Sequence, residues 1–202
     1  MKIYDTKTAP SPRRVRIFLA EKNIPMKYVQ VDLQNGENIS PQMRQKNPIG
    51  KIPILELEDG TCISEGASIC LYFEQLYPDI NLLGKNALEK ANIDMWHRQV
   101  ELYFFGQVGM CFQHTTGYFK DRMTPVKEYG EVAGKNAVDY LKVLEERLSE
   151  SEFIATDRFT IADITAMCAI DFARVVNIKL TDEQTNLKRW YNAVSSRPSA
   201  KA

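Results

Sequence analysis

Apolar and polar positions alternate in one way up to about residue 80 of this 202-residue chain and in another way after it. In the first stretch, short apolar runs at Lys2 to Tyr4 and Lys27 to Val31 predict strands. Between them Val15, Phe18, Leu19 and Lys22 recur at helical spacing, which predicts a helix over Arg13 to Lys22 closed by Asn23. Two more strands, Pro53 to Leu57 and Thr61 to Ser64, flank Glu58-Asp59-Gly60, whose Asp-Gly step is a hairpin turn signal. Ile69, Tyr72, Phe73 and Leu76 then mark a helix at i, i+3, i+4 and i+7. The order β-α-β followed by β-β-α predicts one mixed sheet with helices packed on it.

Beyond Pro78-Asp79-Ile80-Asn81-Leu82-Leu83-Gly84 the period is helical throughout. One helix is expected from Asn86 to about Met110, with Ile93, Trp96, Val100 and Tyr103 on one side and Gly106 and Gly109 weakening its end. A second runs from about Val126 to Ser149 on Ala137, Leu141, Leu144 and Leu148. A third opens at Thr160, where Thr160 and Asp163 are spaced for a capping box and Ile161, Ile164, Cys168, Ala169 and Phe172 suit a buried helix. A last helix spans about Asp182 to Ser195. The chain therefore divides into an α/β domain, residues 1–78, and an all-α domain, residues 86–202.

Composition narrows the function without naming it. Twenty-six basic residues balance 26 acidic ones, which argues against general nucleic-acid binding, and the run Arg13, Arg14, Arg16 reads as a helix face. Apolar and charged fractions of 44% and 26% are those of an ordinary soluble protein, and no signal-peptide run or membrane span is evident, so a cytoplasmic protein is expected. Cys62, Cys70, Cys111 and Cys168 form no Cys-x-x-Cys pair, and His97 and His114 are the only histidines, so no metal site is expected.

The most informative segment is Asn47-Pro48-Ile49-Gly50-Lys51-Ile52-Pro53-Ile54-Leu55, followed by Ser64-Glu65-Gly66-Ala67-Ser68-Ile69. A proline at the start of a strand removes no ladder hydrogen bond. A cis bond before it would leave the backbone of Ile52 open to an extended ligand, which could pair with it as an added strand. The helix opening near Glu65 would present unspent N–H groups to a carboxylate. A small zwitterionic peptide is the ligand such a corner would hold.

With Arg14-Val15-Arg16-Ile17-Phe18-Leu19-Ala20-Glu21 in the first helix and Thr160-Ile161-Ala162-Asp163 in the second domain, these segments resemble the cytosolic glutathione transferase family across nearly the whole chain. The resemblance has features of theta-, nu- and beta-like members. It implies a thioredoxin-like N-terminal domain that binds glutathione, an α-helical C-terminal domain that lines the site for a second substrate, and a homodimer. It also implies that Ile52 pairs with the cysteinyl part of glutathione, that Pro53 is cis, that Glu65 faces the γ-glutamyl ammonium and that Lys51 approaches the glycyl carboxylate.

Two departures from the family pattern concern the site. The residue after the glutamate is usually a serine that helps hold the γ-glutamyl carboxylate, and here it is Gly66. The activating serine or cysteine of several classes falls on Ala9, while Ser11, two residues on, stands where beta-like members carry cysteine. Ser11 is therefore the expected catalytic hydroxyl, with Thr8 second and a plain helix cap as its structural alternative. An aromatic-rich stretch, from which Tyr103, Phe104, Met110 and His114 are singled out, resembles the wall of a pocket for a small hydrophobic electrophile.

The expected activity is attack of the glutathione thiolate on such an electrophile, a detoxification chemistry with glutathione as co-substrate and no metal, nucleic acid or membrane partner. Glutathione-dependent isomerisation, dehalogenation, or peroxide or disulfide reduction on the same scaffold is the alternative enzyme reading. A non-catalytic binding module is the alternative from another class.

Overall fold

The computed structural model describes residues 1–202 and shows two compact units, Met1–Asn81 with Pro198–Ala202, and Leu82–Arg197. Residues 198–202, grouped with the second domain on sequence grounds, thus belong with the first unit. Arg13 Nη2 donates to Ala200 O at 3.0 Å, and Ser199 hydrogen-bonds Glu21.

The first unit runs β1 (Lys2–Asp5), α1 (Pro10–Glu21), β2 (Tyr28–Gln30), α2 (Pro41–Lys46), β3 (Ile54–Glu56), β4 (Cys62–Ser64) and α3 (Gly66–Leu76). Its sheet has the order β2-β1-β3-β4, with β1 parallel to β2 and antiparallel to β3, and β3 antiparallel to β4. Ile3 stands opposite Leu55, and Leu55 opposite Ile63, while Tyr4 pairs with Ile54 on the alternate face. On that alternate face Val31, Met43 and Ile54 form a buried cluster under α2, with Tyr4, Ile52 and Cys62 packed against it. Val15, Phe18 and Leu19 of α1 and Ile69 and Phe73 of α3 are buried. Lys22 of α1 and Glu74 of α3 form an ion pair at 2.8 Å, with side chains 1% and 4% exposed, tying the two helices together.

The second unit contains helices alone: α4 (Ala87–Gln99), a π-helical turn over Val100–Phe105, α5 (Gly106–Thr115), α6 (Lys127–Glu150), α7 (Ile161–Ala173) and α8 (Thr185–Ser195). Ala137, Leu141, Leu144 and Leu148 of α6 are all buried, as their spacing predicts. Helix α7 is buried on nearly every side and opens on the Thr160–Asp163 capping box. The Asp163 carboxylate accepts from Thr160 N at 2.9 Å, Ile154 N at 3.0 Å and Trp190 Nε1 at 2.8 Å, joining α7, the loop before it and α8. No helix is long and apolar enough to cross a membrane.

Candidate functional site

The loop before β3 is built by side-chain amides. Asn47 Nδ2 donates to Lys51 O at 2.8 Å while Asn47 Oδ1 accepts from Ile49 N at 3.3 Å, and Asn38 Nδ2 donates to Gly50 O at 2.7 Å. Gly50 sits at φ +63°, and a Cβ there would come within 3.0 Å of Ile39 Cγ2, so this turn requires glycine. The Ile52–Pro53 peptide is cis. Among the backbone hydrogen bonds outside the regular elements none uses Ile52, which leaves its N–H and C=O for a ligand.

Helix α3 opens beside this loop. Its capping residue Glu65 is held at φ +66°, ψ +123°, a region that L side chains rarely occupy. The side chain of Glu65 caps nothing, so the first-turn N–H groups of α3 are not spent on it.

Helix α1 begins two residues earlier than a cap at Ser11 would require. Ala9 is the capping residue and makes no side-chain cap, Pro10 is the first helical residue and Ser11 the second. The capping alternative for Ser11 is thus removed. Its hydroxyl lies at the positive end of a 12-residue helix.

These parts meet in one cavity of 140 Å³ within the first unit, lined by Ser11, Arg14, Asn47, Lys51, Ile52, Pro53, Glu65 and Gly66. Ser11, Lys51, Ile52, Pro53, Glu65 and Gly66 are therefore brought together, while Thr8 is not among the lining residues. Arg14 and Asn47 are additions. Arg14 follows Ser11 by one turn and so faces the same way, a spacing that the sequence itself displays. It is 6% exposed, and Arg16 pairs with Asp5. Two cations, Lys51 and Arg14, and one anion, Glu65, line the cavity, which gives it an excess of one positive charge.

The family models for the glutathione S-transferase N-terminal domain and C-terminal domain match residues 3–83 and 109–198. The chain belongs to the glutathione S-transferase family. It is 36% identical over 205 residues to glutathione S-transferase 2 of Saccharomyces cerevisiae, covering 100% of this chain and 88% of that protein. Among solved structures, Gtt2 of Saccharomyces cerevisiae superposes with a TM-score of 0.96 at 36% identity, covering 100% and 99% of the two chains. A class Gtt2 glutathione S-transferase of Vibrio parahaemolyticus does so with a TM-score of 0.89 at 38% identity, covering 100% and 96%. The fold is accordingly that of the family, a thioredoxin-like N-terminal domain followed by a helical C-terminal domain.

The second-domain residues are more scattered than the family resemblance suggested. Phe104 is fully buried and stacks on Tyr140 with ring centroids 6.4 Å apart, so it is core and not an accessible wall. Tyr103, expected on the buried side of its helix, is 57% exposed, because the buried line Ile93, Val100 continues through Phe104 and Val108. Met110 is half-buried, and half-buried His114 accepts from Val126 N through Nδ1 at 2.9 Å. The aromatic side chains that do gather are Phe105, Phe112, Tyr118, Phe119 and Phe172, with Phe112 5.1 Å from Phe172 and 5.4 Å from Tyr118. Phe172 belongs to this cluster although it lies about sixty residues further along the chain, a contact no local pattern announces. A separate open groove of 640 Å³ lies along α5 and α6, lined by Cys111, Thr115, Glu131, Gly134, Lys135, Val138, Asp139, Val176 and Ile178.

Proposed function

We propose that the first-unit cavity binds glutathione and stabilises its thiolate for attack on a small apolar electrophile. The observation that carries this reading is the convergence of Ser11, Lys51, Ile52, Glu65 and Gly66 on one cavity. At neutral pH glutathione carries two carboxylates and one ammonium. The two cations and one anion of the lining complement it in number and sign. At 140 Å³ the cavity is below the size that encloses a drug-sized ligand, which suits an extended peptide gripped along one side.

In the proposed pose the cysteinyl residue pairs with the backbone of Ile52, the γ-glutamyl ammonium faces Glu65 and the glycyl carboxylate approaches Lys51. Ser11 donates its hydroxyl proton in a hydrogen bond to the sulfur, and the α1 end adds a favourable field. Lowering a thiol pKa by about two units takes roughly 2.7 kcal/mol of preference for the thiolate. The proton leaves to solvent, the sulfur lone pair forms a C–S bond at the electrophilic carbon, and the leaving group departs with the bonding pair.

The protein is further proposed to act as a cytoplasmic homodimer. All four cysteines are free thiols, as a reducing compartment maintains. Leu88, Met95 and Leu102 recur at i, i+7 and i+14 and are 78%, 44% and 57% exposed, an apolar line that a second copy would cover.

Calorimetric titration with glutathione and a conjugation assay on a chlorinated nitroaromatic test the reading together. Saturable binding with conjugation is expected. Binding without turnover would favour another glutathione-dependent reaction, and no binding at all would favour a scaffold role.

A further inference from the structure

We infer that Arg14 fixes the α-carboxylate of the γ-glutamyl arm, replacing the serine that the family pattern places after the glutamate; this rests on reading the cavity as a glutathione site. Gly66 occupies the serine position. A Cβ built on Gly66 would lie 3.4 Å from Arg14 Nη2 and 3.7 Å from Arg14 Cζ, with Val15 Cγ2 at 3.6 Å. The tip of the guanidinium therefore lies within van der Waals reach of the point where a side chain of residue 66 would begin, at the first turn of α3. Both residues line the cavity.

Three physical features make this a carboxylate site. Arg14 is 6% exposed while it lines the cavity, so the guanidinium sits in a low-dielectric wall where a charge-assisted hydrogen bond gains strength. Its planar fork matches a carboxylate with two parallel N–H donors, which a serine hydroxyl cannot do. The first-turn N–H groups of α3 begin at Gly66, so an anion held by Arg14 also meets the positive end of an 11-residue helix.

Glu65 completes the headgroup site. Its positive φ places it beside Gly66 on the same cavity lining. A cation and an anion side by side read the carboxylate and ammonium of an α-amino acid together.

The test compares glutathione with 4-aminobutyryl-cysteinyl-glycine, which lacks only the α-carboxylate, by calorimetric titration of the full-length protein. Wild type is expected to bind the truncated peptide about ten- to a hundredfold more weakly, the range of one charge-assisted contact. In Arg14→Met that ratio is expected to fall to within about threefold, and adding Gly66→Ser to Arg14→Met is expected to restore part of it. Thermal unfolding of each variant reports whether it is folded. Should Arg14→Met fail to fold, Arg14→Lys decides, with discrimination expected to drop by at least about threefold because an ammonium lacks the fork. Equal binding of the two peptides by wild type, or full discrimination retained by the folded Arg14 variant, overturns the inference alone. No binding of glutathione by wild type removes the glutathione reading and the inference with it.

Discussion

At Ser11 a hydroxyl and a helix end act from the same direction on whatever occupies the cavity. Since the hydroxyl contacts only the sulfur in the proposed pose, Ser11→Ala is expected to lower kcat by about ten- to a hundredfold. The KM for glutathione is expected to stay within about threefold. Steady-state kinetics at saturating electrophile separate the two, and an unchanged kcat would move thiol activation to Thr8 or to backbone N–H groups. That Ser11, Lys51, Ile52, Pro53, Glu65 and Gly66 would meet at one cavity was legible from sequence, because each belongs to a local motif of fixed spacing. The place of Arg14 in that lining was not, since it depends on the packing of α1 beside α3. Phe104 was misplaced for a related reason. Three neighbouring aromatic positions, Tyr103, Phe104 and Phe105, in a π-helical turn carry no sequence sign of which points inward.

Strands and helices of the first unit are joined by a polar cluster as well as by the core. Glu56 on β3 accepts from Tyr4 on β1 at 2.8 Å and from Lys46 of α2 at 2.6 Å, with Lys2 at 3.1 Å. The Lys46 ammonium first, then the Tyr4 hydroxyl and Lys2, hold the Glu56 carboxyl down to about 2 from an ordinary 4.5. Because the folded-state value is depressed, the stability it contributes is complete above the unfolded value and is lost as pH falls from 4.5 towards 2. Urea unfolding of wild type and Glu56→Gln is expected to differ by about 1 to 3 kcal/mol above pH 5 and to converge at the acid end. A gap independent of pH would show that packing, not charge, is at stake.

In the second unit Asp163→Ala would leave the buried donors Ile154 N and Trp190 Nε1 unpaired and open the α7 cap. A loss of about 3 to 5 kcal/mol in urea unfolding is expected. The Thr160–Asp163 box was readable because a cap is a local motif, whereas the Trp190 contact joins residues far apart in the chain. Helix α2 was missed. Its six residues, Pro-Gln-Met-Arg-Gln-Lys, bury Met43 alone, too little for a period to register.

For the molecule as a whole, the switch from mixed to purely helical pattern near residue 80 was the strongest signal, because it reflects two separate cores. The return of residues 198–202 to the first unit was invisible, since it rests on side-chain to backbone contacts such as Arg13 with Ala200 O. If a second copy covers Leu88, Met95 and Leu102, then Met95→Glu with Leu102→Glu is expected to yield a monomer in analytical ultracentrifugation with its helix content kept. A dimer that survives both charges would place the interface elsewhere.

The central claim is that the first-unit cavity holds glutathione as its thiolate. A pH titration of the thiolate ultraviolet absorbance of glutathione bound to the full-length protein tests it most directly. Ionisation about two units below the ordinary thiol value of roughly 8.5 is predicted for wild type, with a return towards that value in Ser11→Ala. Bound glutathione that ionises at the ordinary value in wild type would contradict the account.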